Sequence, residues 1–149
     1  MTDQNLSRWK NPGPARIEEI IRDTKVIAVV GLSANHDRPS YRVAAYLIEK
    51  GFDIIPVNPG QTEILGRKCF PDLKSIGRPI DLVDIFRQAE ATPPIVKEAL
   101  ALNVKYIWLQ EGIVSEEAYD LAAGSGRPII MDKCLKKELT RMERKHGLV

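Results

Sequence analysis

Five short apolar runs separated by amphipathic stretches constrain this chain more than any other feature. They are Lys25–Gly31, Phe52–Val57, Ile80–Phe86, Val104–Leu109 and Arg127–Met131. Each is apolar on both side-chain parities, the pattern of a strand buried on both faces. Helical patterns lie between them. Ser40 is placed to cap a helix in which Val43, Ala44, Leu47 and Ile48 share a face, with Gly51 as its stop. Pro93 and Pro94 open a second helix, and Ser115 with Glu116 and Glu117 starts a third that ends near Gly124. Pro14–Asp23 reads as a helix before the first run, and Lys133–Lys145 as a charged final helix. Leu65–Ile76 reads as an irregular connection with one helical turn at its end. Strand and helix in alternation predict parallel strands joined by right-handed crossovers. The expected fold is α/β, a doubly wound five-stranded parallel sheet. With the runs numbered along the chain, the expected order is 3-2-1-4-5. One domain over residues 14–149 follows, with a flexible tail over 1–13.

Composition excludes several function classes. A length of 149 residues suits one domain. The 22 basic and 20 acidic residues leave a formal charge of +2, too little for whole-surface attraction to nucleic acid. Cys69 and Cys134 are too few and too far apart for a disulfide scaffold or a zinc ribbon. Met1–Lys10 is polar without an apolar signal region, and no run approaches the ~20 apolar residues of a membrane span. A cytoplasmic protein is expected.

In open parallel sheets, ligands bind beyond the carboxyl ends of the strands. After the first run, Gly31 and the helix starting near Ser40 form a setting suited to phosphate, with free amides and a positive helix terminus. Ser33 and Ser40 add hydroxyls, and Arg38 and Arg42 add charge-assisted donors. The dinucleotide fingerprint G-x-G-x-x-G is absent, because Ser33 replaces its second Gly. After the second run, Asn58-Pro59 stands where an NAD site carries Asp or Glu. Without that carboxylate a ribose phosphate is not repelled, and Arg67 and Lys68 follow in the next loop. Phe86 and Arg87 end the third run as a ring and a cation suited to a base or a phosphate. After the fourth, Gln110 offers an amide, Gly112 close backbone approach, and Ile113 and Val114 an apolar wall. Cys134 stands at the start of the last helix, where a thiol can be activated. His36 and His146 lie far apart and point to no metal site.

These segments together resemble a known family. Gly31-Leu32-Ser33, Arg38-Pro39-Ser40-Tyr41, Pro56-Val57-Asn58-Pro59, Leu65-Gly66, Asp84-Ile85-Phe86-Arg87, Trp108-Leu109-Gln110-Glu111-Gly112 and Met131-Asp132-Lys133-Cys134 follow the order of small bacterial and archaeal CoA-binding proteins. These in turn are similar to the first domain of the succinyl-CoA synthetase alpha subunit. The resemblance runs from about Ile17 to Glu138 and implies a Rossmann-like fold with a coenzyme A site. It implies that Gly31, Ser33, Arg38, Ser40 and Tyr41 hold the nucleotide phosphates. Asn58 and Pro59 would contact the adenosine end, and Arg67 the 3′-phosphate. Phe86 and Arg87 would line the adenine side, and Gln110, Gly112 and Val114 the pantetheine arm. The chain departs from the family pattern at Lys133, where Arg is common, and at Leu139, near where His is common. The reading is a binder of coenzyme A or an acyl-CoA without catalysis of its own, acting alone, as a homo-oligomer or with a protein partner. The alternatives are a thiol-active, CoA-linked enzyme using Cys134, an NAD(P)-binding redox domain, and a bare interaction module.

Overall fold

Pro56 lies inside the second apolar run, and a proline donates no ladder hydrogen bond. It therefore belongs at a sheet edge. The structure, a computed structural model, describes residues 8–147 and puts it there. The strands are β1 (Val26–Val30), β2 (Asp53–Val57), β3 (Glu63–Ile64), β4 (Arg67–Lys68), β5 (Leu82–Ile85), β6 (Tyr106–Leu109) and β7 (Ile129–Ile130). The helices are α1 (Pro14–Arg22), α2 (Pro39–Glu49), α3 (Thr92–Ala101), α4 (Glu116–Gly124) and α5 (Leu135–Lys145). The main sheet has five strands in the order β2-β1-β5-β6-β7, all paired in parallel, and β3 and β4 form a separate hairpin.

The expected α/β doubly wound architecture is present, but the strand order 3-2-1-4-5 is corrected. The second strand is an edge, and the third pairs with the other side of the first. Local bonding gives the reason. The outer edge of β2 is already taken by the connection that leaves it: Phe70 donates its amide to Pro56 O at 3.0 Å, and Asn58 donates to Phe70 O at 2.9 Å. No further strand can add there. Pro56 turns its missing amide toward this same outer side, away from β1.

Helices cover both faces. One core gathers Ile17, Ile20 and Ile21 of α1, Val43 and Leu47 of α2, and Leu135, Leu139 and Met142 of α5 against Ile27, Val29, Leu82 and Trp108. The other packs Val96 and Ala99 of α3 and Ala118 and Ala122 of α4 against Ala28, Val30, Val83, Ile85 and Ile107. Ser115 caps α4 as expected, its Oγ accepting the Ala118 amide at 3.1 Å. Ser40 does not cap α2: the cap position is Arg38, and Ser40 Oγ instead accepts the Ser33 amide at 3.0 Å. Of the expected tail over 1–13, residues 1–7 lie outside the described residues. The rest is fastened down: Asn11 exchanges two 2.8 Å hydrogen bonds with the backbone of Met131, and Trp9 packs on the α3–α4 core. Among the described residues, no helix is long and apolar enough to cross a membrane.

Candidate functional site

Chain order reverses between β1 and β5, so the carboxyl ends of these two strands mark the crevice where such sheets bind ligands. Gly31 and Phe86 meet at this point. Gly31 has φ +87°, and a Cβ there would lie 2.3 Å from the Phe86 carbonyl oxygen. The same imagined Cβ would come 3.4 Å from the Arg87 side chain, so the Arg87 stem crosses over Gly31.

Arg87 separates two hollows. The larger is a cleft of about 840 Å³, built from the loops that end β5, β6 and β7 and from the start of α2. α2 contributes Pro39, Arg42 and Val43, and β5 leads into Phe86 to Glu90. β6 leads into Gln110 to Ile113, and the opening turn of α5 adds Cys134, Lys136 and Lys137. The smaller hollow, of about 250 Å³, is bounded by Pro59, Leu73, Arg87 and Ile95.

The cleft walls are interlocked. Gly112, at φ +86°, donates its amide to Asp132 Oδ1 at 2.7 Å, and Asp132 donates its own amide to Ile113 O at 3.2 Å. Asp132 holds φ +58°, a left-handed conformation costly for a residue with a side chain. Gln110 accepts the Leu135 amide on Oε1 at 3.2 Å, and Trp108 Nε1 donates to Lys133 O at 2.8 Å. These four bonds fix the start of α5 against the end of β6. With Oε1 committed, the amide NH₂ of Gln110 is the group left to donate in the cleft it lines.

Charge in the site is predominantly positive. α2 begins without a side-chain cap and without an acidic residue in its first turn, leaving its partial positive charge unopposed. Arg42, Arg87 and Lys136 line the cleft, and Lys137 is held by Glu111 at 3.0 Å, which raises its ammonium above the ordinary value. Arg38 is exposed beside the α2 start, and the His36 and Tyr41 rings stack at 4.5 Å nearby. Among the described residues, no group of three His, Cys, Asp or Glu side chains gathers to hold a metal.

Phe86, Arg87, Gln110 and Gly112 line one cleft. Gly31, Ser33 and Arg38 lie on the adjoining loop, and Ser40 and Tyr41 on the first turn of α2. Ser33 Oγ and Ser40 Oγ already accept the amides of Asn35 and Ser33, so both hydroxyls shape that loop. Asn58 fastens β2 to β1, donating to Leu32 O at 2.9 Å and accepting the Gly60 amide at 2.8 Å. Pro59 faces the smaller hollow. Val114 packs into the α3–α4 core, and its neighbour Ile113 lines the cleft instead. Arg67 is not brought in: it pairs with Asp53 at 4.0 Å, at the start of β2. That is about 13 Å of strand below the carboxyl end. Lys136 and Lys137 were legible only as part of a charged helix, although their position just after the last strand was the available signal.

A family model described as a CoA binding domain matches residues 25–140. The chain belongs to this CoA-binding domain family. It is 45% identical over 127 residues to the uncharacterized protein YneT of Bacillus subtilis, covering 85% of this chain and 94% of that one. It is 30% identical over 95 residues to an ADP-forming acetate–CoA ligase II of Archaeoglobus fulgidus, and that match spans only 14% of the ligase. Among solved structures, a hypothetical protein from Pyrococcus horikoshii OT3 superposes with TM-score 0.85 at 33% identity, covering 91% of this chain and 98% of that one.

Proposed function

We propose that this protein binds coenzyme A, or a CoA thioester, across the β1–β5 crevice, as a cytoplasmic binding protein without chemistry of its own. The observation that carries the reading is the cation-lined cleft at the chain reversal, in a member of the CoA-binding domain family. In this reading the loop of Gly31, Ser33 and Arg38 and the α2 start at Ser40 and Tyr41 surround the pyrophosphate, with Arg42 as a further donor. Asn58 and Pro59 border the adenosine, and Phe86 offers it an apolar face. Arg87, lying between the two hollows, takes the 3′-phosphate in place of Arg67. Gln110, Gly112 and Ile113 flank the pantetheine arm, Ile113 taking the place expected for Val114. An elongated ligand suits two adjoining hollows better than a compact one does. NAD is disfavoured, because the residue that follows β2 is Asn58, and both ends of its amide are engaged within the protein.

Isothermal titration with CoA, dephospho-CoA and NAD tests the reading. CoA should bind saturably, dephospho-CoA more weakly, and NAD not at all. Arg87→Ala should weaken CoA by about one to two decades, equivalent to roughly 1.5–3 kcal/mol, and abolish the preference over dephospho-CoA. No heat with CoA at millimolar concentration overturns the reading. Cys134, a free thiol on the cleft, favours a second one in which bound CoA undergoes thiol chemistry. A Cys134→Ser protein that keeps any CoA-dependent thiol chemistry would sink it.

A further inference from the structure

Asp84 is the one residue among the described residues with buried side-chain oxygens that find no hydrogen-bond partner. It lies on β5, the middle strand of the sheet, at 0% exposure. Its lateral neighbours are Val29 on β1 and Trp108 on β6. Side chains alternate along a strand, so Asp84 shares a face with Phe86, and Trp108 with Gln110. Phe86 and Gln110 both line the cleft. Asp84 thus sits one side-chain repeat, about 7 Å, beneath the cleft floor. The start of α5 closes over the same row through the Trp108–Lys133 and Leu135–Gln110 hydrogen bonds.

A buried polar group without a partner costs stability, and an apolar side chain of similar size would not. Nothing in the fold uses the Asp84 carboxyl. We propose that Asp84 is a ligand-binding group of the cleft, its carboxyl receiving the thioester end of a bound acyl-CoA threaded between Phe86 and Gln110. The inference rests on the CoA reading and deepens it. Burial pushes the carboxyl well above the ordinary carboxylate range, toward the protonated form that can donate. A thioester carbonyl is an acceptor and needs such a donor.

Titration with acetyl-CoA and with adenosine 3′,5′-bisphosphate separates the two halves of the ligand. In Asp84→Val, acetyl-CoA affinity should fall about tenfold while bisphosphate affinity stays within twofold. Asp84→Asn, which keeps a donor in the same shape, should hold acetyl-CoA within about threefold of the wild type. Equal loss for both ligands, or loss for neither, overturns the inference and leaves the CoA reading intact. No binding of either ligand by the wild type overturns both. A measurement without a variant guards against a misfolded Asp84→Val. In the wild type, the carboxyl-carbon resonance of Asp84 should move on adding acetyl-CoA and stay put on adding the bisphosphate. A resonance unmoved by acetyl-CoA overturns the inference.

Discussion

Gly31 meets two demands that no other residue satisfies together. Its φ of +87° is open to glycine, and its missing Cβ leaves room for the Phe86 carbonyl. Gly31→Ala should therefore destabilise the domain by about 3 kcal/mol, read from the denaturant midpoint. Asp84 predicts a pH effect. Its folded-state pKa is raised by burial, so its stabilising contribution is complete below the unfolded pKa of about 3.9 and is lost as pH rises through the folded value. Its flanking residues Val29 and Trp108 carry no charge to offset this. The melting temperature of Asp84→Asn should accordingly fall less than that of the wild type between roughly pH 4 and pH 8. A parallel fall in both proteins would contradict a raised Asp84 pKa. At this scale the sequence was legible where a residue type is chemically unusual for its position, as with Gly31, Arg87 and Gln110. It was illegible where the surroundings decide. Asp84 hides inside an apolar run, and the Ser40 hydroxyl that suggests a helix cap is spent on the Ser33 amide.

Elements were easier to read than their arrangement. Apolar runs of both parities locate the five strands of the main sheet, and amphipathic periodicity with its start and stop residues locates the five α-helices among the described residues, because both signals are local. Strand order is not local, although the sequence carries one clue to it. Pro56 marks β2 as an edge, since an interior strand would lose a ladder bond at that residue. The segment after β2 then fills that edge through Phe70, a pairing no periodicity announces. The start of α4 offers a control at this scale. Ser115→Ala removes the bond to the Ala118 amide and should cost about 1 kcal/mol of stability. Ser115 does not line the cleft, so CoA affinity should stay within twofold.

At the scale of the whole molecule, the crevice follows from topology. The chain leaves β1 toward β2, returns to β5 on the other side, and so brings the loops after β1 and β5 face to face. The formal charge of +2 is small, yet Arg42, Arg87 and Lys136 gather at this one end of the sheet. Attraction to an anionic ligand is then local and open to screening. CoA affinity should fall as sodium chloride is raised, since the Debye length shrinks from about 10 Å at 0.1 M to about 3 Å at 1 M. An affinity that ignores salt would mean that these cations do not hold phosphate. The most direct test of the site is amide chemical-shift mapping of the labelled protein during a CoA titration. Shifts should concentrate at Gly31–Tyr41, Phe86–Glu90, Gln110–Ile113 and Cys134–Lys137. A separate hollow of about 660 Å³ opens at the opposite end of the sheet, between Ile21, Phe52 and Met142. Shifts centred there, or none at saturating CoA, would contradict the account.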